Sequence, residues 1–374
     1  MDALELTSAV AAGNKRFQVQ TKYSETSARV ISIITYDSLL VLRQEKEVYN
    51  TTEDNIRDEL ASLQSEMVAE IELLYYISDK VKMINHPVSN NKLGVVFLKR
   101  NLYEDAINQF NIALEKDEKF IEAQNNLGLA YLLARDYESA LKTFQEGIEK
   151  SGEYADLYNN LGYVNYELEN YKEAIHAFKK SLSLNNDYAE AHFNLGQVYL
   201  KILAEELDDP DFEDVEALKK KATEHIMTAA ELLPPRNIKF FDKINELIPQ
   251  DEFDEIFKLV DIIKSNLSRR YELDFENEFY LKFMFGGKGK DDEFIRTYTE
   301  ALQKTINEYP NYADLRNNLG IVYLIQCRNL FLKALDEFRQ ALKINSSFKK
   351  AEKNLKLAEN DGKGFLILLR AILK

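Results

Sequence analysis

The 374-residue sequence holds a single cysteine, Cys327, and no tryptophan. One thiol cannot close an intrachain disulfide, so nothing staples this fold and a reducing, cytoplasmic setting is expected. Six prolines and thirteen glycines leave helix interiors almost uninterrupted, which favours long helices joined by short turns. No run of eighteen apolar residues occurs, so no stretch reads as an integral membrane span. The opening "MDALELTSAVAAGNKRFQ" has neither a basic nor an apolar signal-peptide region. Positive charge is the scarcer sign: 48 Lys and Arg against 63 Asp and Glu give a net charge of −15. That argues against nucleic acid or an anionic lipid surface as partner.

Catalytic signatures are lacking as well. His86, His176, His192 and His225 form no HExxH and no zinc-type Cys/His spacing. The glycines of "FGGKGKDDE" at 285–293 do not fit the phosphate-loop pattern. No nucleophile elbow stands out. The expectation is a non-enzyme with no catalytic residue, no metal and no cofactor.

What is present is a period. Leu93-Gly94, Leu127-Gly128, Leu161-Gly162 and Leu195-Gly196 follow one another at 34-residue intervals. Behind the first three come Ala106, Ala140 and Ala174, then Phe110, Phe144 and Phe178, then the small residues Ala113, Gly147 and Ser181. Small residues let two helix backbones approach, and the large ones fill the space between hairpins. A single hairpin cannot bury its apolar side alone, so such units must stack. The pattern resembles the tetratricopeptide repeat (TPR) family. The resemblance implies an all-α, right-handed superhelix, a solenoid of antiparallel helical hairpins.

Boundaries follow from the pattern. Four units occupy 87–236, the fourth interrupted by an acidic insertion near 203–217, "EELDDPDFEDVE" at its centre. That run reads as a solvated loop or as a dock for a basic partner. Residues 237–312 keep helical periodicity without the signature and read as two degenerate hairpins. A further unit at 313–348 carries Leu319, Gly320, Tyr323, Ala334, Phe338 and Ala341. Closing helices are expected at 349–374, including "FLILLRAILK", a tucked helix or a docking segment.

For residues 1–86 the expectation is an N-terminal helical hairpin with a disordered first twenty residues. Ile56, Leu60, Leu63, Met67, Leu74, Ile77, Val81 and Ile84 follow a heptad between 52 and 84, interrupted by Glu70. "ARVISIITYDSLLVLRQEKEVY" would be the antiparallel partner helix. The seam would either close on that helix or join copies of the chain into a homo-oligomeric coiled coil.

The TPR resemblance also implies a binding face, since the first helix of each hairpin lines a concave groove. The groove positions are Asn125, Asn126 and Leu129 in the second unit, and Asn159, Asn160, Tyr163 and Tyr166 in the third. The fourth adds Phe193, Asn194 and Gln197, and the 313–348 unit adds Asn317 and Asn318. A primary amide donates and accepts, so a row of asparagines can pair with the backbone of a bound strand. The row resembles the asparagine ladder of the O-linked N-acetylglucosamine transferases. The same amides could equally bond between neighbouring helices, and the sequence leaves both roles open. The expected function is a protein-binding scaffold or adaptor taking an extended or helical, basic segment of another protein. The alternatives are a structural subunit of a bacterial envelope or flagellar-motor assembly, with a membrane-associated location, and a secretion-type chaperone or assembly factor.

Overall fold

Alternation, not helical spacing, decides the first 47 residues. In "KRFQVQTKYS" the side chains of Phe17, Val19 and Thr21 are buried while Arg16, Gln18 and Lys22 are not. Val30, Ser32 and Ile34 repeat the pattern. A period of two fits a strand with one buried face. The computed structural model accordingly begins with four strands: β1 (Glu5–Ala12), β2 (Lys15–Ser24), β3 (Arg29–Tyr36) and β4 (Leu39–Glu47). They form one sheet in the order β1-β2-β3-β4. β1 and β2 are antiparallel, with Ala12 opposite Lys15 across a two-residue turn. Gly13 in that turn has φ 58°, and Asp37 and Ser38 between β3 and β4 have φ 49° and 66°. Two-residue hairpin turns need such left-handed residues to match strand twist. The expected helical hairpin over 1–86, with twenty disordered residues at its start, is therefore corrected to a sheet followed by one helix. The structure describes residues 4–84, 86–151, 154–207, 209–233, 237–268, 275–288, 291–308, 313–344, 346–347 and 349–359.

That helix is α1 (Glu53–Ile84). Ile56, Leu60, Leu63, Met67, Ile71, Leu74, Ile77 and Val81 are all buried along it. Ile56, Leu60 and Leu63 cluster with Val30 and Val48 of the sheet region. Gln64 Nε2 donates to Ser8 Oγ at 2.8 Å, and the Phe17 and Tyr75 rings lie 5.8 Å apart. The first part of the heptad seam, Ile56 to Leu63, thus packs on this chain's own sheet region, where the sequence reading offered it to a partner helix or a second copy. Glu70, the polar break in the seam, meets Lys282 Nζ at 2.6 Å.

Helices follow at short intervals: α2 (Pro87–Lys99), α3 (Tyr103–Lys116), α4 (Ile121–Leu133), α5 (Tyr137–Ser151), α6 (Ala155–Glu167), α7 (Tyr171–Leu184), α8 (Ala189–Ala204) and α9 (Val215–Leu232). They pair as four hairpins, α2/α3 through α8/α9. A Cβ added at Gly94, Gly128 or Gly162 would lie closer than 3.0 Å to Phe110, Phe144 or Phe178, and one at Gly196 equally close to Ile226. Glycine is what lets each pair of helices close on its aromatic or branched wedge. The first helix of each hairpin stops on one left-handed residue, Asn101, Arg135, Glu169 or Glu206. Such a residue satisfies the helix C-terminus and reverses the chain. The acidic insertion is the α8–α9 connection. Four of its carboxylates are held from within: Lys172 reaches Asp209 and Asp211, Lys221 pairs with Glu213, and Tyr171 OH donates to Glu205 at 2.9 Å.

Beyond the fourth hairpin lie α10 (Ile238–Leu247) and α11 (Phe253–Ser268), then a π-helical turn (Phe275–Phe279) running into α12 (Tyr280–Met284), and α13 (Asp292–Glu308). The expected hairpin at 313–348 is instead one unbroken helix, α14 (Ala313–Ile344), packed on α13. Where the turn belongs, no residue of "LIQCRNLFLK" takes the left-handed backbone that ends the first helix of each hairpin, and the helix runs on. Residues 349–359 are helical, and "FLILLRAILK" lies outside the described residues.

Two compact units result. One comprises Met1–Ile34, Gln44–Met83 and Asp274–Lys374; the other comprises Thr35–Arg43 and Ile84–Leu273. The second contains all four hairpins together with α10 and α11, and its largest core runs from Tyr171 to Ile263.

Candidate peptide-binding groove

Asparagine lowers helix stability by roughly 0.6 kcal/mol relative to alanine, so paired asparagines in mid-helix need a compensating contact. The structure supplies one between successive first helices. Asn126 Nδ2 donates to Asn91 Oδ1 at 3.0 Å, Asn160 Nδ2 to Asn125 Oδ1 at 2.8 Å, and Asn194 Nδ2 to Asn159 Oδ1 at 3.1 Å. The asparagine two places before the glycine of one hairpin thereby reaches the asparagine three places before the glycine of the hairpin before it. Asn91 closes the row by donating to Glu122 Oε1 at 2.8 Å, and Gln197 Nε2 donates to Asn194 Oδ1 at 3.3 Å. A net bond of this kind contributes about 0.5–1.5 kcal/mol, enough to offset the helix penalty.

Between the two roles left open by the sequence, then, the amides do bond from helix to helix. That use is incomplete. Asn125 accepts from Asn160, and its own Nδ2 makes no hydrogen bond among the described residues; the same holds for Asn126 Oδ1. Both side chains are half-buried on α4. Asn126, Leu129 and Leu133 lie on one helix face by their spacing. Leu129 is half-buried and Leu133 is 50% exposed. This stripe is open.

The stripe on α6 and α8 is not. Lys264 of α11 places its Nζ 5.6 Å from the Tyr163 ring and 5.9 Å from the Tyr166 ring. Burial pushes the Tyr166 hydroxyl up to about 12 and the Tyr163 hydroxyl further still, with the Glu167 charge adding to both. Burial also lowers the Lys264 ammonium from its ordinary value, against the pull of Glu167 and Asp261. On α8, Lys201 Nζ lies 5.6 Å from the Phe257 ring of α11. Phe193 and Gln197 are each 2% exposed, Phe193 packing edge-on against Phe241 of α10 at 5.7 Å. Phe193 and Gln197, expected to meet a partner, are core residues under α10 and α11. Tyr163 and Tyr166 are covered by the chain's own helix.

The remaining expected positions divide similarly. Asn159 is buried, while Asn160 and Asn194 are half-buried. Asn317 is exposed and Asn318 half-buried on α14, which belongs to the other unit, and neither amide makes a hydrogen bond among the described residues.

A histidine pair went unread in the sequence. His192 Nδ1 and His225 Nδ1 are 2.8 Å apart, and His192 Nε2 meets the Asn186 carbonyl at 3.0 Å. Donation to that carbonyl fixes a proton on His192 Nε2, so in the neutral pair His225 Nδ1 donates to His192 Nδ1. Burial, with the charges of His192, Lys179 and Lys221, lowers His225 to about 4. His192 and His225 stand 33 residues apart on α8 and α9, facing each other across the hairpin.

The profile described as "Tetratricopeptide repeat" matches residues 91–156, and that described as "TPR repeat" matches 166–202. A search of the curated proteins found no match. Similar solved structures include MamA, 22% identical, covering 46% of this chain and 92% of that one with a TM-score of 0.36. PilF of Pseudomonas aeruginosa is 17% identical, covering 62% and 95% at a TM-score of 0.38. YrrB, described as a TPR protein with an unusual peptide-binding site, is 19% identical, covering 50% and 89% at 0.34. Helix hairpins, glycine–aromatic wedges and family matches coincide over α2–α8, and this part of the chain carries tetratricopeptide repeats, folded as an all-α stack of helical hairpins.

Proposed function

We propose that the chain is a non-catalytic adaptor that takes a peptide or helical segment of another protein on the concave face of its first hairpins. The observation that carries this reading is the stripe on α4, where unused amide capacity on Asn125 and Asn126 stands beside Leu129 and the exposed Leu133. Amides can satisfy the N–H and C=O of a passing backbone whatever its side chains, and the leucines offer apolar area to bury. Because the inter-helix bonds already fix Asn126 and Asn160, little side-chain freedom remains to be lost on binding. Exposed Glu122 and Asp156 at the starts of α4 and α6 favour a basic segment over an acidic one.

The test compares co-purification from the native cells by wild type and by Asn125→Ala/Leu133→Ala. Lys142→Ala, on the exposed side of α5, is the control. Loss of a partner by the first variant alone, with an unchanged thermal melt, supports the reading. Retention of every partner by the double variant contradicts it.

A further inference from the structure

On the α6–α8 side of the groove, Tyr163, Tyr166 and Lys201 meet side chains of α11. Phe253, Phe257 and Lys264 fall on one flank of α11 by helical spacing. Phe253 and Phe257 pack against the same core as Tyr163 and Tyr166 do. Lys264 Nζ sits against both tyrosine rings, whose neighbour Glu167 and the α11 residue Asp261 supply negative charge. Cation–ring contacts of this sort strengthen as water is excluded. The opposite side of α11 carries exposed Glu255 and Ile262. Its buried stripe, Ile256, Val260 and Ile263, is the usual face of an amphipathic helix laid in an apolar groove. One further observation sets α11 apart from α2–α9. In a regular stack the second helix of a hairpin lies behind the first helices, as α3, α5 and α7 do, yet the Lys264 and Phe257 side chains of α11 meet groove positions on α6 and α8.

We propose that α11 is a resident ligand of the α6–α8 groove, and that the natural partner is an amphipathic helix of the same chemistry, two phenylalanine-like side chains and a lysine on one flank, which displaces it. The proposal rests on the groove reading above and adds a gate to it. With α11 in place, only the α4 stripe is open. With α11 released, the tyrosine pair and Glu167 join the site, and the partner gains the lysine contacts that α11 gives up. A ligand shifts such an equilibrium only by its preference for one of the two states, and the newly uncovered tyrosines and Glu167 are what supply that preference.

The test uses the full chain. Lys264→Glu sets a carboxylate against Tyr163, Tyr166 and Glu167, and Phe257→Ala removes the ring beside Lys201. The probe is a fluorescent synthetic peptide of residues 252–268 with the wild-type sequence, followed by anisotropy. The double variant is expected to bind it at least tenfold more tightly than wild type, and adding Glu167→Lys, a surface change, to reverse that gain. Equal binding to wild type and variant, or binding to neither, overturns the proposal. Since a released α11 could also loosen α10, native-state hydrogen exchange of the wild type provides a second arm. Amides of 253–268 are expected to be at least tenfold less protected than those of α8 and α9; equal protection means α11 is a fixed part of the core and overturns the gate. A variant that elutes as a dimer would reassign the groove to α11 of a second copy, overturning the partner claim. If the gate fails while Asn125→Ala/Leu133→Ala still loses a partner, the groove reading stands without it.

Discussion

The hairpins of α2–α9 and the single helix α14 were written with the same letters. Leu-Gly followed by Ala and Phe occurs in both, as Leu127-Gly128, Ala140 and Phe144 in one and as Leu319-Gly320, Ala334 and Phe338 in the other. In the hairpins Ala106, Ala140, Ala174, Phe110, Phe144 and Phe178 are all 0% exposed. On α14 Ala334 is exposed and Phe338 half-buried, and a Cβ on Gly320 would meet nothing within 4 Å. The difference lies in the connection. Asn101, Arg135 and Glu169 take left-handed backbone and fold the second helix back onto the first. α14 has no such residue, so its glycine never meets its phenylalanine. A packing motif functions only if the turn brings its two halves together.

The comparison is broken most severely by removing a wedge. Phe144→Ala should destabilise the hairpin unit by about 3–5 kcal/mol, as for other fully buried aromatics. Phe338→Ala should reduce the stability of its own unit by about 1 kcal/mol. Urea denaturation read by hydrogen exchange in each unit separates the two, and equal losses would refute the distinction.

Acid should sharpen it next. His225 is held neutral in the fold at about 4 against an ordinary 6.5. The unfolded chain therefore takes up a proton that the native hairpin refuses as pH falls from about 6.5 to about 4. Stability present above that window is lost through it, by about 3 kcal/mol for a shift of this size. Protection of α8 and α9 should fall over this range in wild type and far less in His225→Gln, while α13 and α14 show no matching step.

Glycine substitutions come third. Gly128→Val drives a branched side chain into Phe144 and should lower stability by about 1–3 kcal/mol. Gly320→Ala should raise it by about 0.5–1 kcal/mol, since α14 has room and gains helix propensity. Opposite signs in thermal melts are the expected result.

Smallest is the amide row. Asn160→Ala removes the bond to Asn125 and should cost about 1 kcal/mol. Asn318→Ala should stay within about 0.5 kcal/mol. Equal effects in a denaturation series would mean the inter-helix bonds contribute little.

Much of the hairpin unit was legible, because a 34-residue recurrence of Gly and Phe specifies both spacing and packing partner. The four strands were misread for a physical reason. Leu39, Leu40, Val41 and Leu42 form an apolar run that suits a helix as well as a strand, and of these only Val41 is buried. The signals that would have decided the matter were Gly13-Asn14 between alternating segments and the Val30, Ser32, Ile34 alternation. α14 was not legible because the hairpins turn on ordinary residues, Asn101, Arg135 and Glu169, whose left-handed backbone leaves no mark in the repeat letters. Asn125, Asn126 and Leu129 lie on α4, the first helix of the second hairpin. Periodicity could show that α11 has an apolar face but not that this helix would cover Tyr163 and Tyr166. Which surface an amphipathic helix covers is a tertiary fact, and Phe193 and Gln197 were assigned to a partner for that reason.

The central claim is that the α4 stripe meets a partner and that α14, despite its letters, does not. Leu133 and Leu330 allow a matched trial, since both are exposed, at 50% and 67%. A photo-crosslinking amino acid at each position, activated in the native cells, measures contact directly. The account predicts a discrete protein adduct from position 133 and none from 330. Adducts from 330 alone, or the same adduct from both, would contradict it.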